Sequence, residues 1–206
     1  TPGKTYVKTG GFIDIDQFDN KFFGISETEA SVMDPNQRLA LMGAYGALFD
    51  AGYDKDTVRG QDIGVFCASG PYDYYYHQDI QKLNAYSATG CHVAIISNRI
   101  SYALDLTGPS VTIDTACSGS LVALDMAKDA ILNGKCEKAL VGCFMCLTSP
   151  FSFVAASKAR MLSVDGQCKT FDASANGFAR GEGCGFVLLE RGDSVDRNSI
   201  WCTIEG

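Results

Sequence analysis

Residues 110–134 pass from a β-branched run, Ser110-Val111-Thr112-Ile113-Asp114, through Thr115-Ala116-Cys117-Ser118-Gly119-Ser120 into a helix-forming run, Leu121 to Leu132, that stops at Asn133-Gly134. A strand that turns into a helix without a linker commits the chain to α/β layering, because the helix must fold back over the sheet its strand joins. The rest of the chain keeps that rhythm. Asp62–Ala68, Lys138–Cys143, Cys184–Glu190 and Ile200–Ile204 read as strands, and His92–Leu104 as a helix ended by Thr107-Gly108-Pro109. Asp34-Pro35-Asn36-Gln37 carries a helix start: Asp34 caps, proline suits the first helical position, and Gln37 stands where a capping box reaches back. That helix runs to about Ala51, with Gly52 as its stop. The expected fold class is α/β with a largely parallel or mixed sheet. No repeat or linker divides the sequence, so residues 1–206 read as a single domain.

Composition removes several function classes. With 17 Lys and Arg against 24 Asp and Glu, the net charge is −7 and no basic stripe is present, which argues against nucleic acid. Hydrophobic residues make up 46% of the chain, enough for a core. No apolar run approaches the roughly 18 to 20 residues that cross a bilayer, so membrane insertion is not expected. No signal-like segment opens the chain, although it begins at Thr1 and its natural start has been removed or lies elsewhere. Nine cysteines, an odd number set mostly in apolar stretches, read as free thiols in a reducing compartment, cytoplasm or organelle stroma rather than secreted.

Cys117 stands at the strand-to-helix elbow. Unpaired N–H groups and the positive end of the helix dipole favour a thiolate there and can hold a developing oxyanion. Ala116, Ser118 and Gly119 leave room for an acyl group, so the local pattern suits acyl transfer through a covalent thioester; a buried structural cysteine is the other reading. The following helix, apolar over most of its circumference, is expected to be buried and to hold Cys117 rigidly. Cys143 and Cys146 have metal-ligand or redox spacing but no second such pair, and packing in a strand and turn is the preferred reading. Gly181-x-Gly183-x-Gly185 precedes a strand instead of opening a helix, so it reads as close backbone packing beside a site and not as a dinucleotide turn. His77 falls in an expected surface loop and His92 at a helix start; both read as structural.

Asp114-Thr115-Ala116-Cys117-Ser118-Gly119-Ser120-Leu121 resembles the active-site motif of β-ketoacyl synthases, the ketosynthase domains of type I polyketide and fatty-acid synthases. Further stretches resemble that family's motifs in the same order. They are Gly11-Phe12-Ile13, Phe22-Phe23-Gly24-Ile25-Ser26, Met33-Asp34-Pro35-Asn36-Gln37-Arg38-Leu39, Asn98-Arg99-Ile100-Ser101-Tyr102, Gly108-Pro109-Ser110, Met161-Leu162-Ser163, Cys168-Lys169 with Phe171-Asp172, and Arg180-Gly181-Glu182-Gly183-Cys184-Gly185. The resemblance runs from about Gly10 to Gly206. It implies a thiolase-like fold of two similar halves with helices packed between their sheets, of which this chain is the N-terminal one, in a homodimer. Cys117 then matches the nucleophile, and its backbone N–H one donor of the oxyanion hole. It would accept an acyl chain from the phosphopantetheine of an acyl carrier protein, with no cofactor or metal of its own. Decarboxylation of a malonyl-type extender and Claisen condensation follow in the family, inside a larger synthase with other domains. Phe178 resembles a pocket-side aromatic near the nucleophile.

The sequence departs from that pattern at Gly119, where Ser is usual, at Asn176, where Asp is more common, and at Arg160 and Val164, where Gly and Pro are usual. The family's two condensation histidines, in a His-Gly-Thr-Gly-Thr and a Lys-x-x-x-Gly-His segment, are matched by neither His77 nor His92. The chain alone is therefore expected not to condense. A non-catalytic half-domain serving carrier-protein or dimer contacts is the alternative reading. Lys158, Arg160, Lys169 and Arg180 are candidates for a patch that docks an acidic carrier, and the Tyr72–Tyr76 cluster reads as a partly exposed loop, with a binding face as the other reading.

Overall fold

The computed structural model describes residues 2–70, 73–195 and 199–205. In chain order it contains α1 (Glu27–Ala30), α2 (Pro35–Asp50), β1 (Ile63–Ala68), α3 (Ser87–Cys91), α4 (Ala94–Leu104), β2 (Ser110–Ile113), α5 (Gly119–Leu132), β3 (Lys138–Met145), α6 (Pro150–Lys158) and β4 (Gly183–Glu190). The strands form one sheet in the order β2-β1-β3-β4; β1 pairs parallel with β2 and β3, and β4 runs antiparallel to β3. This is the mixed α/β sheet the sequence predicts.

Alternation in the central strand builds both faces. Ile63, Val65 and Cys67 join α2, α4 and the β3 residues Leu140 and Phe144 in one apolar cluster. Phe66 and Ala68 join Ala123, Ala127, Ala130 and Ile131 of α5 in a second. The α2/α4 side is closed: Leu41, Ala44, Leu48, Ile100 and Leu104 are 0% exposed. Glycine at 142 serves this closure, because a Cβ there would stand 2.1 Å from Cζ of Phe186, whose ring fills the space instead.

The start of α2 follows the sequence signal, with Asp34 Oδ1 accepting the Asn36 N–H at 2.8 Å and Gly52 at φ 86° past the end. Gln37 does not close a capping box. Its amide is buried between helices, where Nε2 donates to Thr89 O at 2.9 Å and Oε1 accepts from Arg99 Nε at 2.7 Å, and Arg99 goes on to Glu29. These fixed partners satisfy a buried polar group better than a solvated helix end would.

Four other expectations change. Helix α4 starts at Ala94, since His92 lies in extended backbone between α3 and α4. Residues 200–204 form no strand; with no strand partner among the described residues, the indole of Trp201 instead donates to Asp50 Oδ2 at 2.9 Å. Helix α5 starts at Gly119 and buries only one side, Gly119, Ala123, Ala127, Ala130 and Ile131, leaving Leu121, Met126 and Leu132 70%, 40% and 65% exposed. The expected near-complete burial fails because nothing among the described residues covers its outer side. Helix α6 is additional, although Ser149-Pro150 repeats the Asp34-Pro35 signature and Ser149 Oγ accepts the Phe151 N–H at 3.1 Å.

All nine cysteines are unpaired; Cys67, Cys91, Cys136 and Cys146 are buried and the other five exposed. No helix among the described residues is long and apolar enough to cross a membrane.

Candidate active site

Parallel strands β1, β2 and β3 end on the same edge of the sheet, and helices leave that edge on both faces. In such doubly wound sheets the crevice at the carboxyl ends of the strands is where ligands bind. The elbow of residues 114–118 rises there. One lateral row of the sheet, Ile113, Ala68, Cys143 and Gly185, runs beneath it.

Local hydrogen bonds shape the elbow. Asp114 Oδ1 accepts the Ala116 N–H at 3.0 Å, Ser118 Oγ donates to Thr115 O at 2.8 Å, and the Gly119 N–H donates to Ala116 O. Ala116 is held at φ 53°, a left-handed conformation that costs a residue with a Cβ about 1–2 kcal/mol. Strain of this kind persists only where surrounding contacts over-determine it. Cys117 follows in a 3₁₀ turn, Ala116–Ser118, that runs directly into the fourteen-residue α5, and its thiol side is exposed. The alternative of a buried structural cysteine is thereby set aside. The sequence reading does not single out Asp114 or Ala68 as shaping the elbow; an Asp two residues before a turn residue is the one signal that points to the former.

The other candidates fall in a separate stretch, residues 161–180. Phe178 is fixed through its backbone, its N–H donating to Met161 O at 3.0 Å and its O accepting the Ser163 N–H at 2.9 Å, with the ring 41% exposed. No hydrogen bond joins this residue to the elbow among the described residues. Gly177 makes the approach possible: at φ 134°, its Cβ would stand 2.5 Å from Leu162 C. Asn176 accepts from Ser163 Oγ at 2.8 Å and donates to Asp165 Oδ2 at 3.0 Å. Lys169 pairs with Asp165 and also donates to Asn176 Oδ1 at 3.5 Å, and the Lys169 ammonium holds the Asp165 carboxyl below the usual carboxylate range. Arg160, where glycine is usual, adopts φ 56°.

Of the four cations proposed as a patch, Lys169 is paired with Asp165, and Arg180 lies over the Phe153 ring at 5.0 Å. Lys158 and Arg160 are exposed at the end of α6. Gly181 lies against Gly11, in a bridge between the two backbones, but Gly183 and Gly185 face open space, so close packing holds for only the first of the three. Cys143 faces the α5 side at the strand edge and is exposed, whereas Cys146 is buried with its N–H on Asn36 Oδ1 at 2.9 Å. Among the described residues no group of three or more His, Cys, Asp or Glu could hold a metal ion. His77 is exposed in a 3₁₀ turn, Asp73–His77, and His92 is exposed with Nδ1 accepting the Ala94 N–H at 3.3 Å. Tyr75 and Tyr76 are exposed as expected of a surface loop, and Tyr72 lies outside the described residues.

Comparison with known proteins bears on this arrangement. Residues 1–194 match the family model described as beta-ketoacyl synthase, N-terminal domain. The chain is 46% identical over 199 residues to pikromycin polyketide synthase component PikAII of Streptomyces venezuelae, covering 95% of itself and 5% of that protein. It is 45% identical over 197 residues to the highly reducing polyketide synthase GPY1 of Gibberella fujikuroi, covering 94% of itself and 8% of that protein. Among solved structures, the oxazolomycin ketosynthase domain OzmH KS7 of Streptomyces albus superposes with a TM-score of 0.86 at 36% identity, over 94% of this chain and 34% of that one. The ketosynthase from module 6 of the bacillaene synthase of Bacillus subtilis gives 0.81 at 39% identity, over 92% and 32%. The chain therefore spans about a third of the solved ketosynthase chains and under a tenth of these curated relatives.

Proposed function

The chain belongs to the β-ketoacyl synthase family, and from that premise we propose that its 206 residues are the part of a ketosynthase domain that carries the acyl-accepting nucleophile, Cys117. The observation that carries the reading is the elbow itself: an exposed thiol at the start of a long helix, on the carboxyl edge of three parallel strands.

In loading, Cys117 sulfur attacks the carbonyl carbon of an acyl thioester on a carrier protein's phosphopantetheine. A carbon–sulfur bond forms, and the oxyanion draws on the Cys117 N–H at the helix start. The carrier's carbon–sulfur bond then breaks, and its sulfur leaves with the proton that Cys117 gave up. In extension, a malonyl-type unit loses CO₂, and its α-carbon attacks the Cys117 thioester. A carbon–carbon bond forms and the cysteine sulfur is released. Neither His77 nor His92 stands in the family's histidine motifs, so condensation is expected to require residues outside these 206.

Two exposed surfaces support a larger assembly. The outer face of α5 exposes Leu121 and Leu132 near its two ends, with the Lys128–Asp125 ion pair between them, a mixed surface that a second half of the domain would cover. Strand β2 is an outer strand whose four residues are all half-buried, a free edge that a second copy could extend in a homodimer. Both surfaces would also serve a non-catalytic module, which the Cys117 test separates from an enzyme only in part, since loading precedes condensation. Polyketide biosynthesis is the favoured setting, because the relatives named above are polyketide synthases.

The test is covalent loading. In a complete ketosynthase domain carrying these residues, Cys117→Ala is expected to abolish acylation by an acyl thioester, measured by intact mass, while Cys143→Ala and Cys146→Ala retain it. Acylation that survives in Cys117→Ala would refute the assignment of the nucleophile.

A further inference from the structure

We propose that Ala68 is a positioning residue for the Cys117 elbow: its methyl group and the missing side chain of Gly119 form a volume-matched pair that sets where α5 begins. The inference rests on the reading of Cys117 as the nucleophile. Gly119 is buried, and a Cβ built on it would stand 2.9 Å from Cβ of Ala68. Carbon atoms rest at about 3.5–4.0 Å, so a side chain at 119 would push the start of α5 off the sheet. Backbone conformation does not call for glycine here, since φ is −53°, an ordinary helical value. Helix propensity argues against it as well, alanine being the better residue at a helix start. Packing against Ala68 is what remains to explain it.

Ala68 also meets the other end of the elbow. It pairs in register with Ile113, the last residue of β2, and the next residue continues that contact, the Ser69 N–H donating to Ile113 O at 2.9 Å. The five residues from Asp114 to Ser118 thus span between two points fixed on the same place in β1. Because the Gly119 N–H is also bonded to Ala116 O, displacing the start of α5 shifts the strained turn and Cys117 with it. Serine is usual at 119 in the family this chain belongs to. The pair accounts for its absence: the volume of a side chain at 119 is already taken by the Ala68 methyl.

The pair is tested by a double-mutant cycle in a complete ketosynthase domain carrying these residues, reading thermal midpoint, acyl loading by intact mass, and alkylation of Cys117 by iodoacetamide. Gly119→Ala is expected to lower the midpoint by about 1–3 °C and to slow loading about tenfold. Alkylation should stay within about twofold, because a small reagent needs an exposed thiol but no aligned oxyanion donor. Ala68→Gly combined with Gly119→Ala should restore both midpoint and loading. Helix propensity alone makes the opposite forecast for Gly119→Ala, a higher midpoint, and that result would overturn the proposal. So would failure of Ala68→Gly to restore loading. If Gly119→Ala does not fold, recovery of folded, loading-competent protein in the double variant supports the pair, and no recovery overturns it. Loading that persists in Cys117→Ala overturns the nucleophile reading and the positioning role with it, whereas a failed rescue overturns the pairing alone.

Discussion

One sheet has two unlike faces. On the α2/α4 side, two helices cross the strands, their apolar residues are sealed, and a buried chain of side chains, Gln37 to Arg99 to Glu29, ties the helices to each other and to α1. On the α5 side, one helix lies on β1 and β3 through Gly119, Ala123, Ala127, Ala130 and Ile131, while Leu121 and Leu132 are exposed. The difference teaches that one face of the sheet seals its large apolar residues within the described residues, while the face that presents Cys117 leaves Leu121 and Leu132 of its helix exposed.

Thiol chemistry should break or confirm that contrast most visibly. Burial pushes the Cys146 thiol up to about 12, with the Asp34 and Glu182 carboxylates adding to it, and burial pushes Cys67 up as well. At pH 8 a thiol titrating near 12 is about one part in ten thousand thiolate. Iodoacetamide followed by peptide mapping is therefore expected to label exposed Cys117 orders of magnitude faster than Cys67 or Cys146. Equal labelling would mean that the α2/α4 face is not closed.

Truncating large side chains gives the next effect. Leu41→Ala, at a fully buried position, should lower stability by about 2–5 kcal/mol. Leu121→Ala on α5 should change it by no more than about 0.5 kcal/mol in the 206-residue chain. Urea denaturation of the two variants measures the contrast, and a large loss for Leu121→Ala in the 206-residue chain would show that its outer face is already covered.

The smallest effect concerns the strained turn after α6. Arg160→Gly removes an exposed side chain from a left-handed position and is expected to stabilise by about 0.5–1 kcal/mol, the relief of strain exceeding the entropy glycine adds to the unfolded chain. A lower urea midpoint for this variant would mean that the Arg160 side chain makes contacts that outweigh the strain.

Local signals were read correctly where a short segment decides its own structure. The caps at Asp34 and Gly52, the strand at Ile63–Ala68 and the strand-elbow-helix at Cys117 depend on neighbours within a few residues. Most of the readings that failed depended on distant partners, whereas α6 and the start of α4 carry local signals. Gln37 has the composition of a capping box but sits beside Arg99, which neither residue's neighbourhood reveals. Residues 200–204 have strand-forming side chains and no strand to join. The apolar helix 121–132 looked buried because periodicity reports which residues could be covered and says nothing of whether a cover is present.

The amino-acid sequence by itself determined the α/β class, the elbow that carries Cys117 and the family, since each rests on residue order along a short stretch or on motifs in series. Only the tertiary structure decided that Lys169 pairs with Asp165 while also reaching Asn176, that Leu121 and Leu132 of α5 stay exposed, and that Ala68 occupies the space Gly119 leaves. Those outcomes turn on volumes and charges brought together from residues far apart in the chain, and contact of that kind exists only once the sheet has formed.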